Sequence, residues 1–345
     1  MNPISILNRL LKAAGPSGHE QACAEVISEI AHPFVDKISV DPLGSLICHK
    51  KGAGNRILAA AHMDVIGFMV SRIDEKGFLR VVPIGSHPAA RLIGFPIRFL
   101  NGTAGILFSS DFEGVRKKRF DEVKIEDIYV DIGAWSREEA ESLVQPGDVA
   151  VFDGLARKIS GNKILSPYLD DLIGCVILLL AMAMRPASDN DVYYVFTVHE
   201  ELRARGAGPV AERICPELAL AVDICHTGDC PAYSEEITTK LGGGPAIKLY
   251  DLSAICDLRL VKHIKNVALA REIRFQNEIS HTGGTDAGAL QMSSAGVPVS
   301  GLSVATRYSH TPVEMCALDD VVDAARLLAA VMAAEPVFLR SEKYT

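Results

Sequence analysis

Four stretches of this chain stay apolar for the length of a strand without alternating: "RILAAAHMDV" (56–65), "DVYYVFTVHE" (191–200), "LALAVDI" (218–224) and "VPVSGLSV" (297–304). A strand with one wet face alternates apolar and polar residues, so these runs belong to strands covered on both faces. Helices on either side of a largely parallel sheet provide that cover. Helix-length segments lie at 171–185, 258–269, 285–295 and 317–335, and the last, "LDDVVDAARLLAAVMAAE", carries its apolar residues at helical spacing. The chain is therefore expected to build an α/β fold, a mixed sheet flanked by helices.

Residues 68–160 have a different texture. "FMVSRIDEKGFLRVVPI", "RLIGFPIRFL" and "TAGILFSS" are short β-type segments broken by Gly and Pro, with little helical periodicity. They are expected to form a small all-β, barrel-like domain inserted into an α/β catalytic domain made of 1–67 and 161–345. A chain of 345 residues is long enough for two such cores.

The net charge of -8 argues against nucleic acid or an anionic membrane as partner, since both require a concentrated basic surface. The one basic cluster, "GVRKKRF" at 114–120, is read as a solvated loop. The longest apolar run, 174–184, is too short to span a bilayer, and "MNPISILNRLLKAAG" lacks the pattern of a signal peptide. Eight cysteines without CxxC spacing fit a reducing compartment, so a cytoplasmic location is expected. Cys225 and Cys230 have no matching second pair for a metal site.

Polar residues gather where the apolar runs end. His62 and Asp64 follow "ILAAA", Glu200 and Glu201 follow "VYYVFTV", Asp223 follows "LALAV", and His310 comes soon after "VPVSGLSVATRYS". In open α/β sheets the crevice beyond the carboxyl ends of the strands is where ligands bind. "SPYLDDLIG" adds Asp170 and Asp171 ahead of an apolar helix, near its positive end. Taken singly, a DD is usually a cap, an HxD a chance pairing and an EE a solvated edge. Their recurrence after the most apolar strands, where an unpaired charge is costly, points to a metal that compensates them. Mixed imidazole and carboxylate donors suit zinc, cobalt or manganese.

"AHMDVIGFMV", "LDDLIGC", "HEELRARGA", "AVDI", "GGTDAGA", "GVPV" and "ATRYSHTPVEM" occur in this order along the chain, with "VDPLGSL" at 40–46 and "YVDIGAWSREEAE" at 129–141. Together they resemble the glutamyl-aminopeptidase and tetrahedral-aminopeptidase family of dinuclear metallopeptidases, some of whose members are labelled endoglucanases. The resemblance covers essentially the whole chain. It implies a zinc-exopeptidase-like fold and two divalent ions per subunit, zinc or cobalt, with manganese a third candidate. His62, Asp170 and Asp223 would hold the first ion; Asp170, Glu201 and His310 the second, with Asp170 bridging and its bond to Asp171 cis. Asp64 would orient the His62 ring, as metal-bound histidines require. Glu200 would be the general base of a two-metal hydrolysis that releases N-terminal residues from short peptides. Family members also assemble through the β domain into dimers and tetrahedral dodecamers, so a homo-oligomer is implied.

The chain departs from the family pattern around these residues. Relatives commonly read QEEVGxRG, HxDEIG and LDDR, where this chain has His199, Leu202 and Arg203, then Val65, then Leu172. His199 is read as a hydrogen-bonded strand-end residue or a substrate neighbour, and Arg203 as paired with a carboxylate or touching an acidic substrate. "HTGGTDAGA" (281–289) lacks the Walker lysine and is expected to line the substrate pocket through Gly284, with Asp286 capping the next helix. Two other classes compete with the aminopeptidase: a catalytically silent peptide-binding scaffold, and a glycoside hydrolase, which needs two carboxylates and no metal.

Overall fold

The computed structural model describes residues 1–109, 122–185, 187–231 and 237–339. The cluster "GVRKKRF" lies outside the described residues. In chain order the strands before the insertion are β1 (Lys37–Val40), β2 (Leu46–Lys50) and β3 (Arg56–His62). Next come β4 (Gly67–Ile73), β5 (Leu79–Ile84), β6 (Pro96–Phe99), β7 (Ala104–Ser109), β8 (Ile128–Asp131) and β9 (Val149–Phe152). The chain continues through β10 (Arg157–Ile159), β11 (Lys163–Ser166), β12 (Asp191–Thr197), β13 (Leu218–His226), β14 (Ala246–Tyr250), β15 (Gln276–Ile279), β16 (Val299–Arg307) and β17 (Glu314–Ala317). The helices are α1 (Pro3–Ala13), α2 (Gln21–Ala31), α3 (Arg137–Leu143), α4 (Leu169–Ala183), α5 (Ala207–Ile214), α6 (Leu258–Ala270), α7 (Asp286–Gln291) and α8 (Leu318–Ala333).

The larger sheet is mixed, in the order β1-β2-β12-β3-β13-β16-β17-β11-β10, with β14 pairing β16 and β15. At its centre β12, β3, β13 and β16 run parallel. Both faces of that centre are covered. Ala59, Ala61, Leu220 and Val222 pack into the cluster that holds α4, while Leu58, Ala60, Val195, Ala219 and Ala221 pack against α5 and α7. Small alanines at 59, 60 and 61 let helices approach closely from each side; enlarging Ala60, which has no exposed surface, would overpack the core at a cost of about 1–3 kcal/mol. α4 is buried along its length, so it is apolar all round rather than amphipathic.

The second sheet is a closed six-stranded barrel, β4-β5-β8-β7-β6-β9. Closure leaves no unpaired edge, and alternation fills the interior with Phe68, Val70, Leu79, Ile97, Phe99, Leu107, Val130 and Phe152. β10 pairs with β11 and so extends the larger sheet, although its residues fall within 68–160. The barrel reaches the larger sheet's edge at Ser86, whose carbonyl lies 2.9 Å from His310 Nδ1.

Candidate metal centre

Because β12, β3, β13 and β16 are parallel neighbours, their carboxyl ends deliver side chains to one place. His62 ends β3, Glu200 and Glu201 follow β12, Asp223 sits inside β13, and His310 lies in the turn between β16 and β17. Asp170 enters from the start of α4, where the Asp170–Asp171 peptide is cis and both residues leave helical dihedrals. The helix is capped by Asp171, whose Oδ1 accepts the Gly174 amide at 3.0 Å.

Asp170 divides its carboxylate between two histidines. Oδ1 lies 3.1 Å from His62 Nε2, and Oδ2 lies 3.3 Å from His310 Nε2. Two triplets of donor atoms, each within 4.8 Å of one another, result: His62–Asp170–Asp223 and Asp170–Glu201–His310. Glu201 Oε1 is 3.6 Å from His310 Nε2, whereas Glu200, in neither triplet, has Oε2 3.9 Å from His62 Nε2. Adjacent side chains on an extended backbone diverge, which lets the two glutamates face different positions.

Asp64 is fully buried beneath this layer. Its Oδ1 accepts the Glu200 amide at 3.0 Å and stands 3.6 Å from His62 Nδ1; Oδ2 accepts the Glu201 amide at 3.2 Å and the Ser17 hydroxyl at 2.7 Å. Asp64 thus ties the two sides together: its backbone carbonyl lies 3.0 Å from His62 Nδ1 while its carboxylate holds the backbone of both glutamates.

The electrostatics call for positive charge. Burial pushes the Glu201 carboxyl up to about 7 against the pull of His310. Burial likewise drives Glu200 and Asp223 well above the usual carboxylate range, with neighbouring carboxylates adding to it. Asp170 goes the other way, since hydrogen bonds from His310 and His62 outweigh its burial. His62 and His310 are raised despite burial, by Asp170 with Asp64 and by Glu201 with Asp170, respectively. Glu201 Oε1 is buried without a hydrogen-bond partner. Five oxygen and nitrogen donor residues, an orphaned carboxylate oxygen and an excess of buried acid fit divalent cations of the zinc, cobalt and manganese kind.

A profile of the M42 glutamyl aminopeptidases matches residues 44–327. The chain belongs to the M42 glutamyl aminopeptidase family. A putative aminopeptidase of Acetivibrio thermocellus is 40% identical over 323 residues, covering 94% of this chain and 96% of that protein. An aminopeptidase from the archaeon Desulfurococcus kamchatkensis has the same fold, with a TM-score of 0.94 at 32% identity over 99% of this chain and 98% of its own. The TET1 peptidase of Pyrococcus horikoshii, described as assembling into a tetrahedron or a large octahedral shell, superposes with a TM-score of 0.85 at 31% identity, over 96% and 99% of the two chains. M42 peptidases are metal-dependent aminopeptidases, and the cluster described above is where this member can hold metal.

A cavity of about 700 Å³ opens beside the cluster, and Arg203 and Gly284 are among the residues that line it. His199 and Asp286 are placed otherwise. His199, at φ 57°, turns away from the cavity and sets its Nε2 3.7 Å from Glu20 Oε1. The cap of α7 is Thr285, whose side chain accepts the Ala287 amide, because the helix begins at Asp286, one residue earlier than an Asp286 cap required. Asp286 itself is buried on the strand side, its Oδ2 accepting the Thr197 hydroxyl at 2.5 Å. Val65 and Leu172, two of the departures from the M42 pattern, are fully buried and act through packing.

Three contributors escaped the sequence reading. Glu314 accepts the Asp170 amide at 2.9 Å and the His310 amide at 3.0 Å. On the far cavity wall, buried Lys248 donates to Glu278 Oε1 at 2.6 Å and sits 2.9 Å from Asp251 Oδ2. His226 borders the cavity with Nδ1 2.9 Å from Ser309 Oγ. A lysine at 248 within the apolar run "AIKL" was the one available signal, since a buried lysine requires partners.

Proposed function

We propose that this chain is a dinuclear metallo-aminopeptidase that releases N-terminal residues from short peptides. The observation that supports this most strongly is the shared Asp170, whose two oxygens belong to two donor triplets. In this reading His62, Asp170 and Asp223 hold one divalent ion, and Asp170, Glu201 and His310 the other; zinc, cobalt or manganese suits the donors. When bound, the ions polarise the scissile carbonyl and make water a nucleophile near neutral pH. Asp64 keeps the His62 ring oriented and its Nε2 directed at the centre. Glu200, outside both triplets with Oε2 3.9 Å from His62 Nε2, takes a proton from the attacking water and returns it to the leaving amine. The cavity bordered by Arg203 and Gly284 receives the N-terminal side chain.

The inserted domain at 68–160 is proposed to join copies of the chain, as a dimer that builds a larger shell like that named for the TET1 relative. A cytoplasmic setting suits the cysteines, seven of which are buried single thiols. Replacing Glu200 with Gln tests the division of labour. Turnover of an aminoacyl fluorogenic peptide should fall by about 10²–10⁴-fold with metal content unchanged, while Glu201→Gln should lose metal. Loss of metal in the Glu200 variant would mean that the glutamates have been assigned the wrong way round.

A further inference from the structure

Glu314 opens β17, is 1% exposed, and belongs to neither donor triplet. Its two oxygens have separate tasks: Oε2 accepts the amide of Asp170 and Oε1 the amide of His310. Those amides lie in two irregular segments that are remote in sequence. One is the entry to α4, with Tyr168 at φ 56°; the other is the turn after β16, with Tyr308 at φ 64° and His310 at φ 57°. The strands that lead into them, β11 and β16, both pair with β17, but Asp170 and His310 lie beyond those ladders, and the carboxylate ties the two irregular segments together. Both segments supply a side chain to the triplet Asp170–Glu201–His310, whereas Asp170 alone belongs to His62–Asp170–Asp223.

We infer that Glu314 is a positioning residue that sets the second metal position by fixing Asp170 and His310 relative to each other. The inference rests on the dinuclear reading of the site. A buried carboxylate is a costly way merely to start a strand paired on both sides, since an apolar residue would open β17 at no desolvation cost. Its use here is explained by its two acceptors on one planar group. Glutamine keeps one acceptor and turns an NH₂ donor toward the other amide, and aspartate is a methylene too short to serve both amides. Two of three donors at the second position depend on Glu314, against one of three at the first, so loss of the clamp acts unequally.

The test is calorimetric titration of chelator-stripped wild type, Glu314→Gln and Glu314→Asp with zinc or cobalt, alongside hydrogen exchange of the peptides containing 168–171 and 308–311. Wild type is expected to bind two ions. In both variants the second ion should bind about 10–100-fold more weakly, the range seen when groups supporting metal ligands are removed, with a much smaller change in the first. Both peptides should exchange faster while β3 and β13 keep their protection. If Glu314→Gln does not fold, Glu314→Asp carries the same comparison. Wild-type affinity for both ions in the variants, equal weakening at both positions, or full rescue by the charged but shorter aspartate would each overturn the positioning role. A wild-type chain that takes up a single ion overturns the dinuclear reading itself, and shows this before any substitution is made.

Discussion

Asp286 offers a pH-dependent test of how this site stores charge. It is almost fully buried, with Oδ2 on the Thr197 hydroxyl and Oδ1 without a partner. Burial raises its carboxyl to about 6, against the pull of Thr197 and His62 and with some help from Asp64. An aspartate in the unfolded chain titrates near 3.9. Between these values the folded chain holds a proton that the unfolded chain has released, so stability falls as pH rises from about 4 through about 6. A difference of about two pKa units corresponds to about 3 kcal/mol, roughly half of it lost between about pH 5 and pH 8. Asp286→Asn cannot titrate and should escape that loss. In urea unfolding of chelator-treated protein at fixed concentration, the variant should gain about 1.5 kcal/mol on wild type between pH 5 and pH 8. The amide left in place of Oδ1 shifts both pH values equally and cancels in the comparison. A difference between variant and wild type that is the same at both pH values would refute the reasoning.

Other outcomes follow from the same contacts. Lys248→Met leaves Asp251 and Glu278 as uncompensated buried acids and should cost about 3–5 kcal/mol in urea unfolding; a loss under about 1 kcal/mol would show that the trio is not held by charge. His62, His310, Glu201 and Asp223 all titrate upward from their ordinary values in the metal-free site. Ions must displace those protons, so affinity should rise from pH 6 to pH 8 with proton release measurable by calorimetry in buffers of different ionisation enthalpy. Binding without a buffer-dependent heat would contradict that protonation pattern.

The parallel centre of the sheet was legible because burial on both faces removes alternation, and "ILAAA" and "LALAV" carry that signature plainly. The barrel was legible for the opposite reason, in short β-type segments punctuated by Gly and Pro. His62, Glu201, Asp223 and His310 could be grouped because parallel strands place their carboxyl ends together. Side-chain partners across the fold were not legible. Glu314 reaches Asp170 over 144 positions of chain, and Lys248 reaches Glu278 over 30, with no local pattern linking them. The misplacement of Asp286 has a local cause: "GGTDAGA" offers two adjacent capping residues, and Thr285 takes the role because Asp286 is drawn to Thr197 beneath the sheet edge. His199 follows from a turn at positive φ, which reverses where the side chain points after the strand has ended.

In the proposed function one shared carboxylate, Asp170, organises two metal ions for peptide hydrolysis. Titrating zinc or cobalt into chelator-stripped protein, while following release of the N-terminal residue from a short peptide, tests it directly. Two ions bound per chain, with hydrolysis absent from the stripped protein and restored by them, is the predicted result. Peptide hydrolysis that survives chelation, or two bound ions with no cleavage of any peptide in a panel of N-terminal residues, would contradict it.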